Sequence, residues 1–164
     1  TFYYKYLTYI CHMKKNIKGI WFFGYSGSGK TFASKIIAKK IKRSIVIDGD
    51  EVRKLISKDL QYNKKDRTIQ TERILGFSII SIKQKLFPII STSFLPKKIA
   101  KLAKENGIEI VEIERDKSFL FKKLKNKKNV VGVDIFYEKF VRKNIYNDIN
   151  FKKNINIFLK HLNF

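Results

Sequence analysis

GIWFFGYSGSGKTFASKIIAKK, residues 19–40, decides the fold. The apolar run Gly19–Phe23 leads directly into GYSGSGKT at 24–31, a full match to G-x-x-x-x-G-K-[S/T], and a helical pattern continues from Lys30. Strand, glycine-rich loop and helix, in that order, is the setting a phosphate-binding loop requires. Gly24, Gly27 and Gly29 permit the backbone conformations that aim successive N–H groups inward, with Tyr25, Ser26 and Ser28 completing the cradle. The helix beginning near Lys30 adds the positive end of its dipole. Such a site suits ATP: Lys30 would reach the β and γ phosphates, and Thr31 would place its hydroxyl on Mg²⁺ bridging them. The bland alternative is an ordinary glycine turn before a helix, but residues and context both argue against it.

Outward from this loop, short β-rich runs alternate with longer helical patterns, the signature of strand–helix–strand units. Strands are expected at Gly19–Phe23, Ser44–Asp48, Leu86–Thr92, Ile108–Glu114 and Asn144–Asn147. Helices are expected at Lys30–Lys42, Glu51–Ser57, Asp66–Lys85, Pro96–Asn106 and Asp116–Lys125. In a final helix, Phe151, Ile155, Phe158, Leu159 and Leu162 form one apolar stripe that would pack on the sheet. The expected fold class is a three-layer α/β P-loop NTPase, nucleotide-kinase-like, around about five parallel strands.

A chain of 164 residues that is 44% hydrophobic has the length and apolar content of one packed domain. No stretch approaches the roughly 18 consecutive apolar residues of a membrane-spanning helix. Cys11 is the single cysteine, which excludes an intrachain disulfide and a Cys–Cys metal pair, so a reducing, cytoplasmic setting is expected. Residues 1–12, TFYYKYLTYICH, show no helical or strand period; they read as an N-terminal extension, with Met13 opening a domain that runs to residue 164. The net charge of +22 would suit nucleic acid, but Lys supplies 30 of the 36 basic residues. Contacts to phosphates and bases usually recruit the forked Arg side chain, so the charge reads as compositional bias toward Lys and dedicated nucleic-acid binding is not expected.

The second strand runs into SIVIDGDEVRKL, residues 44–55, and puts Asp48 and Asp50 at the carboxyl edge of the sheet, beside the phosphate loop. Ligands of parallel α/β sheets bind at that edge. Asp48 could hold Mg²⁺ through water, and Asp50 could orient or deprotonate an acceptor hydroxyl. Alternatively Asp50 is the N-cap of the helix from Glu51, with Gly49 turning the chain; the two roles can coexist.

These residues resemble the adenylylsulfate kinase family, which transfers the ATP γ-phosphoryl group to the 3′-hydroxyl of adenosine 5′-phosphosulfate. GYSGSGKT stands where the family has G-L-S-G-S-G-K-[S/T]. IDGDEVRKLISKDLQYNKKDR matches its D-G-D-N-V-R, L-G-F and D-R at identical spacing, and the likeness covers most of Lys18–Tyr137. The resemblance implies Asp50 as the catalytic carboxylate, Arg53 and Arg67 as ligands of the acceptor's phosphosulfate region, and Tyr62 in place of a base-stacking phenylalanine. Forked guanidinium donors suit anionic oxygens, and an aromatic face suits a base. The alternative for both arginines is surface salt bridging.

Several positions depart from the pattern. In DRTIQTER, Gln70 replaces an acceptor-contacting asparagine while Arg73 is retained. In LFPIISTSF, Ser91 or Ser93 falls near the site. NVVGVDIFYE, residues 129–138, matches F-T-G-I-D-x-x-Y-E at Gly132, Asp134, Tyr137 and Glu138, but Val130 takes the stacking phenylalanine's place. That exchange removes roughly 1–3 kcal/mol of stacking, enough to change which nucleotide is accepted. The N-V-V-G-V-D form also resembles adenylylsulfate-kinase-like enzymes of surface-polysaccharide modification. For the lysine-rich lid, one register uses Arg115-Asp116 and KSFLFKK; the other makes that segment a helix capped by Asp116 and leaves a shortened lid around Lys123–Lys128. The length of the preceding strand favours the second.

The resulting expectation is 3′-phosphorylation of adenosine 5′-phosphosulfate by Mg-ATP, with a homodimer implied by the resemblance. Its rivals are a kinase for another nucleotide-linked acceptor and a nucleotide-binding protein without turnover.

Overall fold

In the computed structural model, which describes residues 16–124, 128, 130–133, 135, 136 and 143–162, β1 (Gly19–Phe23) is the middle strand. It pairs in parallel with β3 (Phe87–Thr92) on one side and β4 (Ile108–Glu114) on the other. Outside β3 lies β2 (Ser44–Asp48), and outside β4 lies β5 (Asn144–Tyr146), giving a five-stranded parallel sheet in the order β2-β3-β1-β4-β5. The helices are α1 (Lys30–Ala38), α2 (Gly49–Leu55), α3 (Lys64–Lys83), α4 (Lys97–Glu105), α5 (Lys117–Leu124) and α6 (Phe151–His161).

A strand paired on both edges and covered on both faces must be apolar throughout, which explains IWFF in β1. Trp21 and Phe23 face a cluster with Ile74 and Leu75 of α3 and Ile99, Ala100 and Ala103 of α4. Ile20 and Phe22 face Ala33 and Ile37 of α1 and Phe151, Ile155 and Leu159 of α6. These two clusters form the three layers. The α6 stripe is seated as its spacing predicts, with Phe158 edge-on to Phe22 at 6.3 Å between ring centroids. The buried Trp21 indole N–H donates to Thr92 Oγ1 at 2.8 Å, so the strand's one polar side-chain atom is satisfied.

Element ends differ from expectation for local reasons. α1 stops at Ala38 rather than Lys42 because Lys40 and Ile41 both turn back to the Ile37 carbonyl, and Arg43 adopts a left-handed φ of 59° to enter β2. α2 begins at Gly49, two residues early: Asp48, not Asp50, is its N-cap, accepting from the Asp50 N–H at 2.9 Å. The reading of Asp50 as the cap is thereby corrected. α3 likewise starts early, at Lys64, because Asn63 caps it through the Asp66 N–H. β5 ends at Tyr146, although the Asn147 N–H still donates to the Glu114 carbonyl at 2.7 Å.

α5 occupies Lys117–Leu124 after β4, and Asp116 caps it by accepting from the Phe119 N–H at 3.1 Å and from the Ser118 hydroxyl. This is the register that leaves little room for a lid. The expected extension at 1–12, residues 125–127 of the shortened lid, and the matched Asp134, Tyr137 and Glu138 lie outside the described residues. Among the described residues, no helix is long and apolar enough to cross a membrane.

Candidate active site

Parallel pairing sets Asp48 of β2 beside Ser91 of β3, and Phe23 of β1 beside Thr92. The carboxyl ends of the inner strands therefore meet at one edge, where the loop after β1 and the first turns of α1 and α2 converge. A cleft of about 270 Å³ opens there. From the phosphate loop it is lined by Ser26, Gly27, Gly29, Lys30 and Thr31. Facing them are Asp48, Asp50, Arg53, Arg67 and Gln70. Gly24, Tyr25, Ser28, Tyr62 and Val130 do not line it.

The loop's shape depends on glycine at Gly29, whose φ is 104°. A Cβ there would stand 2.5 Å from Asn147 Nδ2 and 2.9 Å from Phe151 Cε1, so any side chain would strain the backbone and collide with the start of α6. Lys30 is buried and its ammonium donates to the Gly24 and Tyr25 carbonyls at 2.8 and 2.7 Å. Burial lowers its pKa to about 8, although the Asp50 and Asp48 carboxylates pull upward.

Asp48 sits at the centre of a hydrogen-bonded set. Its Oδ2 accepts from Thr31 Oγ1 at 2.7 Å and from Ser91 Oγ at 2.8 Å, while Oδ1 accepts from the Asp50 N–H. Burial pushes this carboxyl's pKa up, but the hydroxyl and backbone donors outweigh it and hold the group below its ordinary value. Asp48 is thus an anion fixed against Thr31, two hard oxygen donors side by side.

On the other wall, Arg53 is buried and donates to the Leu60 and Gln61 carbonyls at 3.3 and 2.6 Å. Arg67 donates to the Tyr62 carbonyl at 2.8 Å. The Tyr62 ring carries both guanidinium groups, Arg53 at 4.6 Å and Arg67 at 5.4 Å from its centroid, and is half exposed. These cation–π contacts brace the arginines while half of the residue's surface stays open. Gln70 is buried, with its amide donating to the Gly49 carbonyl and its Oε1 lacking a partner. Val130 is buried, while Arg73 forms a forked pair with Asp59 at 2.7 Å on the surface, outside the cleft.

Two contacts on the outer side of the phosphate loop were not visible from the sequence. Asn147 donates from Nδ2 to the Ser28 carbonyl at 2.7 Å. Arg115 donates to the Gly27 carbonyl at 3.2 Å while its guanidinium lies 3.8 Å from the Phe119 ring centroid. Arg115 was matched only to the lid in one register and Asn147 only to the end of the last strand, so neither was assigned to the phosphate loop.

A parallel sheet of this order, with a glycine cradle, a buried lysine and two carboxylates at its carboxyl edge, defines a P-loop phosphotransferase. The family model for adenylylsulphate kinase matches residues 17–148, and the chain belongs to that family. It is 30% identical to the adenylyl-sulfate kinase of Clostridium acetobutylicum over 138 residues, 73% of this chain and 68% of that protein. It is 32% identical to the cytidine diphosphoramidate kinase of Campylobacter jejuni over 143 residues, 77% of this chain and 84% of that protein. Its fold resembles that of the APS kinase of Mycobacterium tuberculosis, solved with AMPPNP and APS, with a TM-score of 0.74 and 19% identity over 90% of this chain and 98% of that one.

Proposed function

We propose that the protein transfers the γ-phosphoryl group of ATP to the 3′-hydroxyl of a nucleotide-linked acceptor, with adenosine 5′-phosphosulfate the first candidate. The observation that carries this reading is the single cleft into which Lys30, Asp50, Arg53 and Arg67 all open. Phosphate-loop N–H groups and the Lys30 ammonium would hold the donor phosphates. Arg53 and Arg67 would hold the acceptor's anionic linkage, and Asp50 would accept the proton of the attacking hydroxyl. Gln70 Oε1, buried and unpartnered, offers an acceptor to a ligand donor.

Thr31 and Asp48 fit Mg²⁺, because both present oxygen and their 2.7 Å hydrogen bond sets them at one point of the rim. A bound Mg²⁺ would neutralise charge on the β and γ phosphate oxygens.

A second acceptor class, a cytidine 5′-diphosphate conjugate, is favoured by Val130 and by the likeness to the Campylobacter jejuni kinase. ADP release from Mg-ATP, measured with adenosine 5′-phosphosulfate and with cytidine nucleotides, tests the proposal. Acceptor-dependent release is expected. ATP binding with no release for any acceptor would refute transfer.

A further inference from the structure

Residues 57–63, between α2 and α3, form neither helix nor strand, yet they hold both arginines of the cleft. The Leu60 and Gln61 carbonyls accept from Arg53 Nη1, the Tyr62 carbonyl accepts from Arg67 Nε, and the Tyr62 ring lies against both guanidinium groups. The position of each charge is therefore set by the backbone of a loop. Loops are ordinarily the most mobile part of a fold, so a loop that places charges has to be fixed from outside. We propose that Asp66 fixes this one: it is a positioning residue that pins residues 61–63 to the first turn of α3, and so sets where Arg53 and Arg67 present their donors without itself touching the acceptor. The inference rests on the nucleotide-acceptor reading and adds to it a residue that governs acceptor affinity.

Asp66 makes three bonds across this junction. Its Oδ2 accepts from the Gln61 N–H at 2.8 Å and from Asn63 Nδ2 at 2.9 Å, while its own N–H donates to Asn63 Oδ1 at 2.9 Å. The first of these reaches Arg53 directly. The Gln61 N–H and the Leu60 carbonyl belong to one rigid peptide plane and point in opposite directions, so anchoring the N–H on Asp66 turns the carbonyl toward Arg53. The Gln61 carbonyl, which accepts from Arg53 at 2.6 Å, follows one residue on. A carboxylate that accepts from a backbone N–H forms a charge-assisted bond, stronger than a neutral one, which suits a clip that must hold a loop still.

The arginines need such placement. Arg53 is buried, and a buried guanidinium costs free energy unless its donors are met. Both of its carbonyl bonds fall on Nη1, which leaves the rest of the fork to a ligand. The Asp66 carboxylate also favours the charged form of Arg53 through space. Asp66 does not line the cleft, whereas its neighbour Arg67 does, so one helical turn carries both a ligand-facing charge and the clip that places it. At the other end of the loop Arg73 forks onto Asp59 at 2.7 Å and donates to Ser57 Oγ at 3.3 Å. That pair is exposed on the surface, where ion pairs contribute little, and it bonds side chains rather than the peptides that hold the arginines. Asp66 is therefore the decisive clip.

The test joins equilibrium binding of adenosine 5′-phosphosulfate and of CDP to a direct view of the arginines, both on the full chain. With the phosphate loop filled by a nonhydrolysable ATP analogue and Mg²⁺, Asp66→Ala is expected to raise the dissociation constant of the nucleotide that the parent binds roughly 5- to 30-fold, since the guanidinium groups remain but lose their placement. Affinity for the ATP analogue should stay within twofold. Asp66→Asn keeps a side-chain oxygen for the Gln61 N–H and should recover most of the acceptor affinity. Asn63→Ala removes the cap of α3 but leaves Asp66 on Gln61, so it should lower Tm with acceptor affinity unchanged. In NMR spectra of the arginine side chains, which number only six, exchange of the Arg67 Nε–H with solvent should quicken in Asp66→Ala and stay slow in Asn63→Ala. An acceptor affinity within twofold of the parent in Asp66→Ala would overturn the proposal. Equal weakening of the ATP analogue, or an equal loss of acceptor in Asn63→Ala, would overturn it too, because Asp66 would then support the fold at large. A parent that binds neither nucleotide would refute the acceptor reading; quickened Arg67 exchange in Asp66→Ala would still establish the clip, and unchanged exchange would remove it.

Discussion

On the phosphate-loop side of the cleft, residues 24–31 are braced by contacts from distant elements: Asn147 on Ser28, Arg115 on Gly27, and Asp48 on Thr31. On the acceptor side, Arg53 and Arg67 are held by carbonyls of their own neighbourhood, Leu60 to Tyr62, and by the Tyr62 ring. The first side keeps the family's motif but for Tyr25 in place of a leucine, while the second departs at Tyr62, Gln70 and Val130. Triphosphate recognition requires one backbone geometry and tolerates little change. In the proposed function, recognition of an acceptor rests on side-chain surfaces that can be rebuilt from other residues while Arg53 and Arg67 stay in place.

This contrast can be broken most severely at the residues shared by both sides. Asp50→Ala should lower kcat by roughly 10²–10⁴, the usual worth of a positioned proton acceptor, with ATP affinity little changed. Lys30→Ala should cost roughly 10²–10³ by removing a fixed charge from the donor phosphates. Steady-state assays of ADP release decide both, and a twofold effect in either would show that the cleft is not the reaction site.

Gly29→Ala probes the rigid side alone. Its φ of 104° and the Asn147 and Phe151 atoms facing it predict a cost of about 1–3 kcal/mol, read as weakened ATP binding and a lowered Tm, with acceptor affinity preserved. Unaltered ATP binding would mean that the loop is less constrained than its geometry implies.

A pH series sharpens the same distinction. The Lys30 pKa is lowered to about 8 by burial, against the pull of Asp50 and Asp48, so the free protein loses this ammonium as pH rises through that value. Phosphates bind the charged form, so ATP affinity should be flat below about pH 8 and fall about tenfold per unit above it, with one proton taken up on binding. Isothermal calorimetry in buffers of different ionisation heat measures that uptake, and an affinity independent of pH from 7 to 9.5 would contradict the assignment. The smallest effect is expected from Asn147→Ala. It removes one brace from the Ser28 carbonyl, so ATP binding should weaken by about 0.5–1.5 kcal/mol without altering kcat at saturation.

The strand and helix order was legible because each element carries its own period: IWFF in β1, the carboxyl-edge IDGD of β2, the apolar stripe of α6. Element ends were less so, since they turn on single hydrogen bonds. Asp48 displaced Asp50 as a cap because its side chain reaches the Asp50 N–H from the end of a strand, which no spacing rule encodes. The aromatic at Tyr62 was visible, but not that two arginines from α2 and α3 would pack against it.

The sequence by itself determined the phosphate loop, the parallel α/β class and the pair of carboxylates beside the loop, because each is written in residues close along the chain. Only the tertiary structure decided which side chains close the site. Asn147 and Ser28 are 119 residues apart, and Arg115 and Gly27 are 88 apart. Such pairs meet only because the sheet is ordered β2-β3-β1-β4-β5, which brings the ends of β4 and β5 alongside the loop that follows β1. The energy of those contacts comes from strand order and packing, and neither leaves a periodic trace in the chain.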